Sequence, residues 1–163
     1  MRSVSLFIVL LFASSLLACS PGYPSQKSNL RNTVNQEPPN ADPGYPAGFS
    51  GWSRFNVQTI FRAEPSEARD LYYNRVASAS QSGAFPQGTV LVKAQHTVSG
   101  TQKGALFKLS VMTKGTGGSY AGWDFSAYDS KTGKKFDVDQ DGCALCHGQR
   151  ADNDFVFSYR GMP

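Results

Sequence analysis

The sequence predicts an α+β fold, mainly antiparallel β-sheet with a few short helices, in one domain. Three observations carry this expectation. Apolar residues recur mostly at every second position, the period of a half-buried strand. The runs are joined by short turns rich in Gly, Pro, Asp and Ser, which lets consecutive strands pair antiparallel. Long stretches with a 3.6-residue apolar period are almost absent. The globular part runs from about Tyr45 to Pro163, long enough for one hydrophobic core and too short for two.

The elements follow in chain order. Phe55, Val57, Thr59 and Phe61 alternate with Asn56, Gln58 and Ile60 and read as a strand. Leu71-Tyr72-Tyr73 reads as a second strand, and the following Arg75-Val76-Ala77-Ser78-Ala79 suits a short helix. Gly83 and Pro86-Gln87-Gly88 mark turns. Thr89 to Val98 and Ala105 to Thr113 are strands on either side of Ser99-Gly100-Thr101, a hairpin pattern. Beyond a loop with Gly115, Gly117 and Gly118, Trp123 to Tyr128 gives a further strand. Asp129-Ser130-Lys131-Thr132-Gly133 then turns the chain, a short helix is expected around residues 143–147, and Phe155-Val156-Phe157 reads as extended.

Before the globular part stand two segments of different character. Met1-Arg2-Ser3 and the apolar run Val4 to Ala18 form a charged start and a short hydrophobic stretch, too brief to span a bilayer comfortably. This is an export leader, residues 1–18. It ends Leu16-Leu17-Ala18-Cys19, which resembles a bacterial lipobox, so Cys19 is expected to carry lipid; the alternative is ordinary cleavage near Ala18 with Cys19 an incidental thiol. Either reading places the mature protein outside the cytoplasmic membrane, and lipidation makes it a periplasmic protein anchored by its N-terminus. Residues 19–44 read as a disordered linker, because six of the nine prolines fall between Pro21 and Pro46 among Asn, Ser, Gln and Gly. The formal charge of +4 is spread along the chain without a lysine–arginine run, which argues against nucleic-acid binding and leaves room for an acidic redox partner.

The chemistry concentrates in Cys143-Ala144-Leu145-Cys146-His147. Cys-x-x-Cys-His is the attachment signature of c-type haem. One helical turn sets both thiols beside the vinyl groups of a single porphyrin, and the adjacent histidine offers an imidazole nitrogen to iron. A zinc site would need a second ligand pair; the chain has three cysteines and two histidines in all, the others being Cys19 and His96. An unligated redox dithiol is the remaining alternative. With Cys19 on lipid and Cys143 and Cys146 on haem, no cysteine remains for a disulfide. One covalent haem c is then the staple that a small exported domain otherwise lacks.

A family resemblance rests on an ordered set of segments: Arg69-Asp-Leu-Tyr72-Tyr73-Asn74, Phe85-Pro-Gln-Gly-Thr-Val-Leu-Val-Lys93, Gly122-Trp123-Asp-Phe-Ser-Ala-Tyr128, the Cys143–His147 motif and Asp154-Phe-Val-Phe157. Together they resemble the cytochrome P-460 family, which includes the cytochrome c-prime-beta proteins. The resemblance implies an antiparallel-sheet haem domain, commonly a homodimer, with a five-coordinate iron whose open face binds small molecules. Some members oxidise hydroxylamine and others bind nitric oxide. It implies that His147 is the axial ligand, that Lys93 is the counterpart of a lysine linked to the porphyrin edge, and that Arg69 is the counterpart of a distal arginine. The family's distal carboxylate has no counterpart placed by the sequence, since Ala94-Gln95 follows Lys93 where glutamate is frequent.

Strand parity bears on these assignments. Lys93 shares a face with Thr89, Leu91, Gln95 and Thr97, and His96 shares the other with Val90, Val92, Ala94 and Val98, so a regular strand cannot bring both to the haem. Met112 and Met162 are the other possible sixth ligands, and Met112 is also a natural core filler. Phe85, Phe107, Trp123, Phe125 and Tyr128 could wall a pocket or simply form core. Two functions follow: an open-site haem protein acting on hydroxylamine or nitric oxide, or a six-coordinate electron-transfer cytochrome without substrate chemistry.

Overall fold

The computed structural model describes residues 37–63, 65–77, 84–116 and 120–157. The leader, Cys19, most of the linker, Met162 and the second half of the 75–79 segment lie outside the described residues. The architecture is the expected one: a seven-stranded antiparallel sheet with one short α-helix and a few 3-10 turns. The strands are β1 (Ser53–Arg54), β2 (Ile60–Arg62), β3 (Glu67–Tyr73), β4 (Val90–Ser99), β5 (Gln102–Lys114), β6 (Trp123–Asp129) and β7 (Lys135–Phe136), and the helix is α1 (Gln140–Gly148). They lie in the order β1-β3-β4-β5-β6-β7, with β2 also paired to β3. From β3 to β7 consecutive strands lie side by side, an antiparallel meander, while β1 and β2 both pair with β3.

The β4–β5 hairpin closes with Ser99 opposite Gln102 and Gly100 at φ 60°, a left-handed conformation that costs glycine little. After β6, the Asp129 carboxylate accepts the amides of Lys131 and Thr132 and the Thr132 hydroxyl, fixing the turn into β7. Gly133 sits in that turn at φ 69°, and its lack of a side chain admits Ala41. Residues 38–44, expected as linker, pack here. The Asp42 amide donates to Gly133, the Asp42 carboxylate takes Lys134 and the Lys135 amide, and the Tyr128 hydroxyl donates to Pro43.

Two local expectations change, and a third is only partly described. The period-two run 55–61 is not one strand. Asn56 is buried, and its side chain donates to the Gln58 carbonyl and accepts the Leu71 amide, so the backbone turns and Val57 is left 72% exposed. In the described part of 75–79, Arg75 and Val76 form a turn and Ala77 is in 3-10 helical conformation, with the Asn74 side chain capping the Ala77 amide. Phe155-Val156-Phe157 forms no strand: Phe155 follows Asp154 into positive φ, 66° after 49°, and Val156 and Phe157 belong to no regular element.

Parity divides the sheet into two cores. On one face Val92, Ala94, Leu109, Val111 and Tyr128 pack with Phe49 into a closed apolar cluster. On the other, Leu91, Trp123 and Phe125 pack with Phe55, Val156 and Ala144 of α1. Burying such side chains contributes roughly 1.5–3 kcal/mol apiece.

Candidate functional site

Between the second face and α1 lies a cavity of about 900 Å³. That is near the top of the usual range of roughly 300–1,000 Å³ for ligand and cofactor sites. Its floor is graded by strand register. Of the rows across this face of the sheet, the first brings Arg69 and Lys108 to the cavity, the next Leu71, Lys93, Ser110 and Ala127, and the third Leu91, Met112 and Phe125. The floor therefore passes from charged to apolar, which suits a flat group with one polar and one apolar edge. Phe136 and Phe157 border the cavity and are each 42% exposed, apolar rings that such a group would cover.

Helix α1 delivers the motif. Asp139 caps it, its carboxylate accepting the Gly142 amide at 3.0 Å. Gln140 fixes it to the sheet: its side chain accepts the Phe125 amide at 3.0 Å and donates to the Phe125 carbonyl at 2.6 Å. On this short helix Cys143 and Cys146 are three positions apart and Cys143 and His147 four apart, so all three share a side. All three border the cavity. Burial, and then the Asp139 carboxylate, push the Cys143 thiol above its ordinary value, the reverse of what a redox dithiol needs.

His147 is held at one nitrogen. Its Nδ1 lies 2.7 Å from the Phe155 carbonyl oxygen, so Nδ1 carries the proton and donates, and Nε2 keeps its lone pair. Burial lowers the imidazole's pKa, favouring the neutral ring. The ring sits between Phe125 and Phe157, with centroids at 5.1 and 5.2 Å. A metal-ligating histidine is typically oriented in this way, by a carbonyl on its other nitrogen.

Behind the polar end of the floor lies a network that reaches the cavity through Arg69 and Ser110. Glu67, 3% exposed, pairs with Arg69 and accepts Gln95 Nε2 at 2.8 Å; Gln95 in turn accepts the Ser110 hydroxyl at 2.7 Å. Burial raises the Glu67 pKa, but the hydrogen bonds from Gln95 and Arg69 outweigh it and leave the carboxyl below its ordinary value. Lys93 borders the same cavity. Burial, then the Arg69 guanidinium, lower the lysine's pKa and favour its neutral amine.

Of the residues singled out by sequence, Arg69, Lys93, Cys143, Cys146 and His147 all border this cavity. His96 does not: it lies on the opposite face, where its Nδ1 is 3.2 Å from the Gly104 carbonyl and its Nε2 is 3.8 Å from Asp70. Met112 borders the cavity within the apolar row. Among the aromatic candidates Phe125 lines it, Phe85 and Trp123 are in the adjoining core, Tyr128 is in the opposite core, and Phe107 is 38% exposed. Sequence reading missed Glu67, which lies two residues before Arg69 on β3; extending that strand N-terminally by parity from Leu71 through Arg69 would have reached it.

No curated protein matches the chain. A family model described as Cytochrome P460 matches residues 46–158, well over half of the sequence. The match spans the sheet, the cavity and the Cys143–His147 helix together, and the chain belongs to the cytochrome P460 family, haem-binding cytochromes.

Proposed function

We propose that the protein is a c-type cytochrome carrying one covalent haem, with an open distal site that binds or oxidises hydroxylamine or nitric oxide. The observation that carries the reading is His147: one ring nitrogen is occupied by Phe155, and the other has no hydrogen-bond partner among the described residues, beside two thiols at a large cavity. The residues present fit the group. Cys143 and Cys146 would form the thioethers and His147 Nε2 would be the axial ligand. When bound, haem supplies an iron that takes a small nitrogen ligand and accepts its electrons one at a time.

The chain's own side chains have separable roles. Arg69 offers a fixed donor to the oxygen of a bound ligand, and Glu67 positions it by the ion pair. Gln95 and Ser110 hold Glu67 in turn, so the donor is set in place before the ligand arrives. Lys93, with its pKa lowered by burial, is the amine that a link to the porphyrin edge would use. Electrons leave through a redox partner protein, consistent with the mild positive charge. Cys19 in its Leu-Leu-Ala-Cys setting supports export and a lipid anchor in the periplasm, and the family resemblance supports a homodimer.

Met112 favours a second reading, since it borders the cavity: a thioether on iron would give a six-coordinate electron-transfer cytochrome. Hydroxylamine turnover with an artificial electron acceptor separates the two. The first reading predicts turnover, or at least a nitrosyl spectrum with nitric oxide; neither reagent changing the spectrum of the holoprotein decides for the second. Mass spectrometry of the denatured haem peptide tests the lysine link, which adds the Lys93 peptide to the Cys143–Cys146 peptide.

A further inference from the structure

We propose that Asp154 is a positioning residue for the axial histidine: anchored by Lys114, it holds the Phe155 carbonyl against His147 Nδ1 and thereby sets how strongly Nε2 donates. The proposal rests on the reading of His147 as the haem ligand.

The backbone is the first sign. Asp154 and Phe155 occupy consecutive left-handed conformations, and neither is glycine. Side chains rarely adopt these angles unless the surroundings impose them. Here the surroundings do so at every polar atom of the Asp154 carboxylate and carbonyl. Lys114 Nζ donates to Oδ1 at 2.7 Å and to Oδ2 at 3.0 Å. The Phe85 amide donates to Oδ2 at 2.7 Å, and Trp123 Nε1 donates to the Asp154 carbonyl at 2.8 Å. Lys114 is itself fixed, donating to the Ala121 carbonyl at 2.6 Å with its ammonium 4.9 Å from the Trp123 ring centroid.

The pair is deep, with side-chain exposures of 10% and 8%. A buried ion pair adds little net stability, because desolvation consumes the Coulombic gain; its attested use is to fix geometry. The geometry fixed here is that of the next peptide. Its carbonyl is the acceptor for His147 Nδ1 at 2.7 Å. A firm acceptor there draws the Nδ1 proton away and makes the imidazole a stronger donor through Nε2. A stronger donor favours ferric over ferrous iron. Loosening the anchor therefore weakens the iron–histidine bond and raises the reduction potential.

The test uses the full-length holoprotein and the variants Asp154→Asn and Trp123→Phe. Resonance Raman of the ferrous form reads the iron–histidine stretch, and redox titration reads the potential. The expected result is a stretch at lower frequency and a higher potential in Asp154→Asn, with a smaller change of the same sign in Trp123→Phe. A merely structural role predicts earlier melting with both signals at their wild-type positions, and that outcome overturns the proposal. Should Asp154→Asn fail to fold, Trp123→Phe, which keeps a ring under Lys114, decides alone. A wild-type ferrous protein with no iron–histidine band means that the iron is not five-coordinate with His147 as its one axial ligand; that outcome overturns the open-site reading on which the proposal rests, and is thereby distinguished from a band that is present and unmoved.

Discussion

Val92 and Lys93 are neighbours in the chain and belong to different halves of the molecule. Val92 is 2% exposed in the closed core with Leu109 and Tyr128, whereas Lys93 borders the cavity with His147. The same four central strands thus present a sealed apolar face and a face left open for a cofactor. The sealed face supplies stability that does not depend on the cofactor. The open face carries a half-buried lysine with lowered pKa and partly exposed phenylalanines beside the cavity, whereas on the sealed side the Asp70 carboxylate is closed over by its cationic partners. Adjacent residues should therefore fail in different ways.

The largest effect is expected on the open face. Replacing Cys143 and Cys146 together with serine removes both thioether donors, and the haemochrome signal that survives denaturant should vanish completely, while the strand signal in far-UV circular dichroism persists. Next comes the sealed face. Leu109→Ala empties a fully buried site and should cost about 2–5 kcal/mol in urea unfolding, with the spectrum of the folded holoprotein unchanged.

A third contrast is pH. Asp70 is fully buried on the sealed side, taking Arg54 and Lys103 at 2.6 Å each and the Thr59 hydroxyl at 2.8 Å. Burial raises its pKa, but the Lys103 and Thr59 hydrogen bonds prevail and the carboxyl lies below its ordinary value. A depressed pKa contributes stability that is fully present above the unfolded value of about 3.9 and is lost as pH falls through the folded value. Urea midpoints should thus fall below about pH 4. Asp70→Asn should be less stable at pH 7 and lose less on acidification; a variant with the wild-type acid limb removes Asp70 from the account. The smallest effect on stability is expected from Lys93→Met, within about 1 kcal/mol. The same variant should lose any haem–lysine link by mass spectrometry and slow hydroxylamine turnover, so that activity changes where stability does not.

Much of this division was legible in the sequence. Alternation along 89–98 already separated Lys93 from His96, and the pleat places them on opposite faces as parity requires. The Cys143–His147 spacing located one wall of the cavity. What was not legible depends on contacts distant in sequence. The run 55–61 has strand periodicity, yet the Asn56 side chain bonds Leu71 across fifteen positions and turns the backbone. Glu67 gains its place only when β3 pairs with β4 and brings Gln95 to it. Asp154 and Phe155 carry no glycine or asparagine to announce a left-handed turn; the groups that hold Asp154 there, Lys114 and Trp123, come from the sheet, distant in sequence.

The open face matters only if iron bound there keeps one position vacant. A spectrum of the dithionite-reduced holoprotein, recorded before and after carbon monoxide, tests this directly. The vacant site predicts a high-spin ferrous spectrum that converts to a carbonyl complex. A low-spin spectrum that carbon monoxide leaves unaltered would mean a protein group such as Met112 fills the position, and the assignment of hydroxylamine or nitric oxide chemistry to this cavity would be wrong.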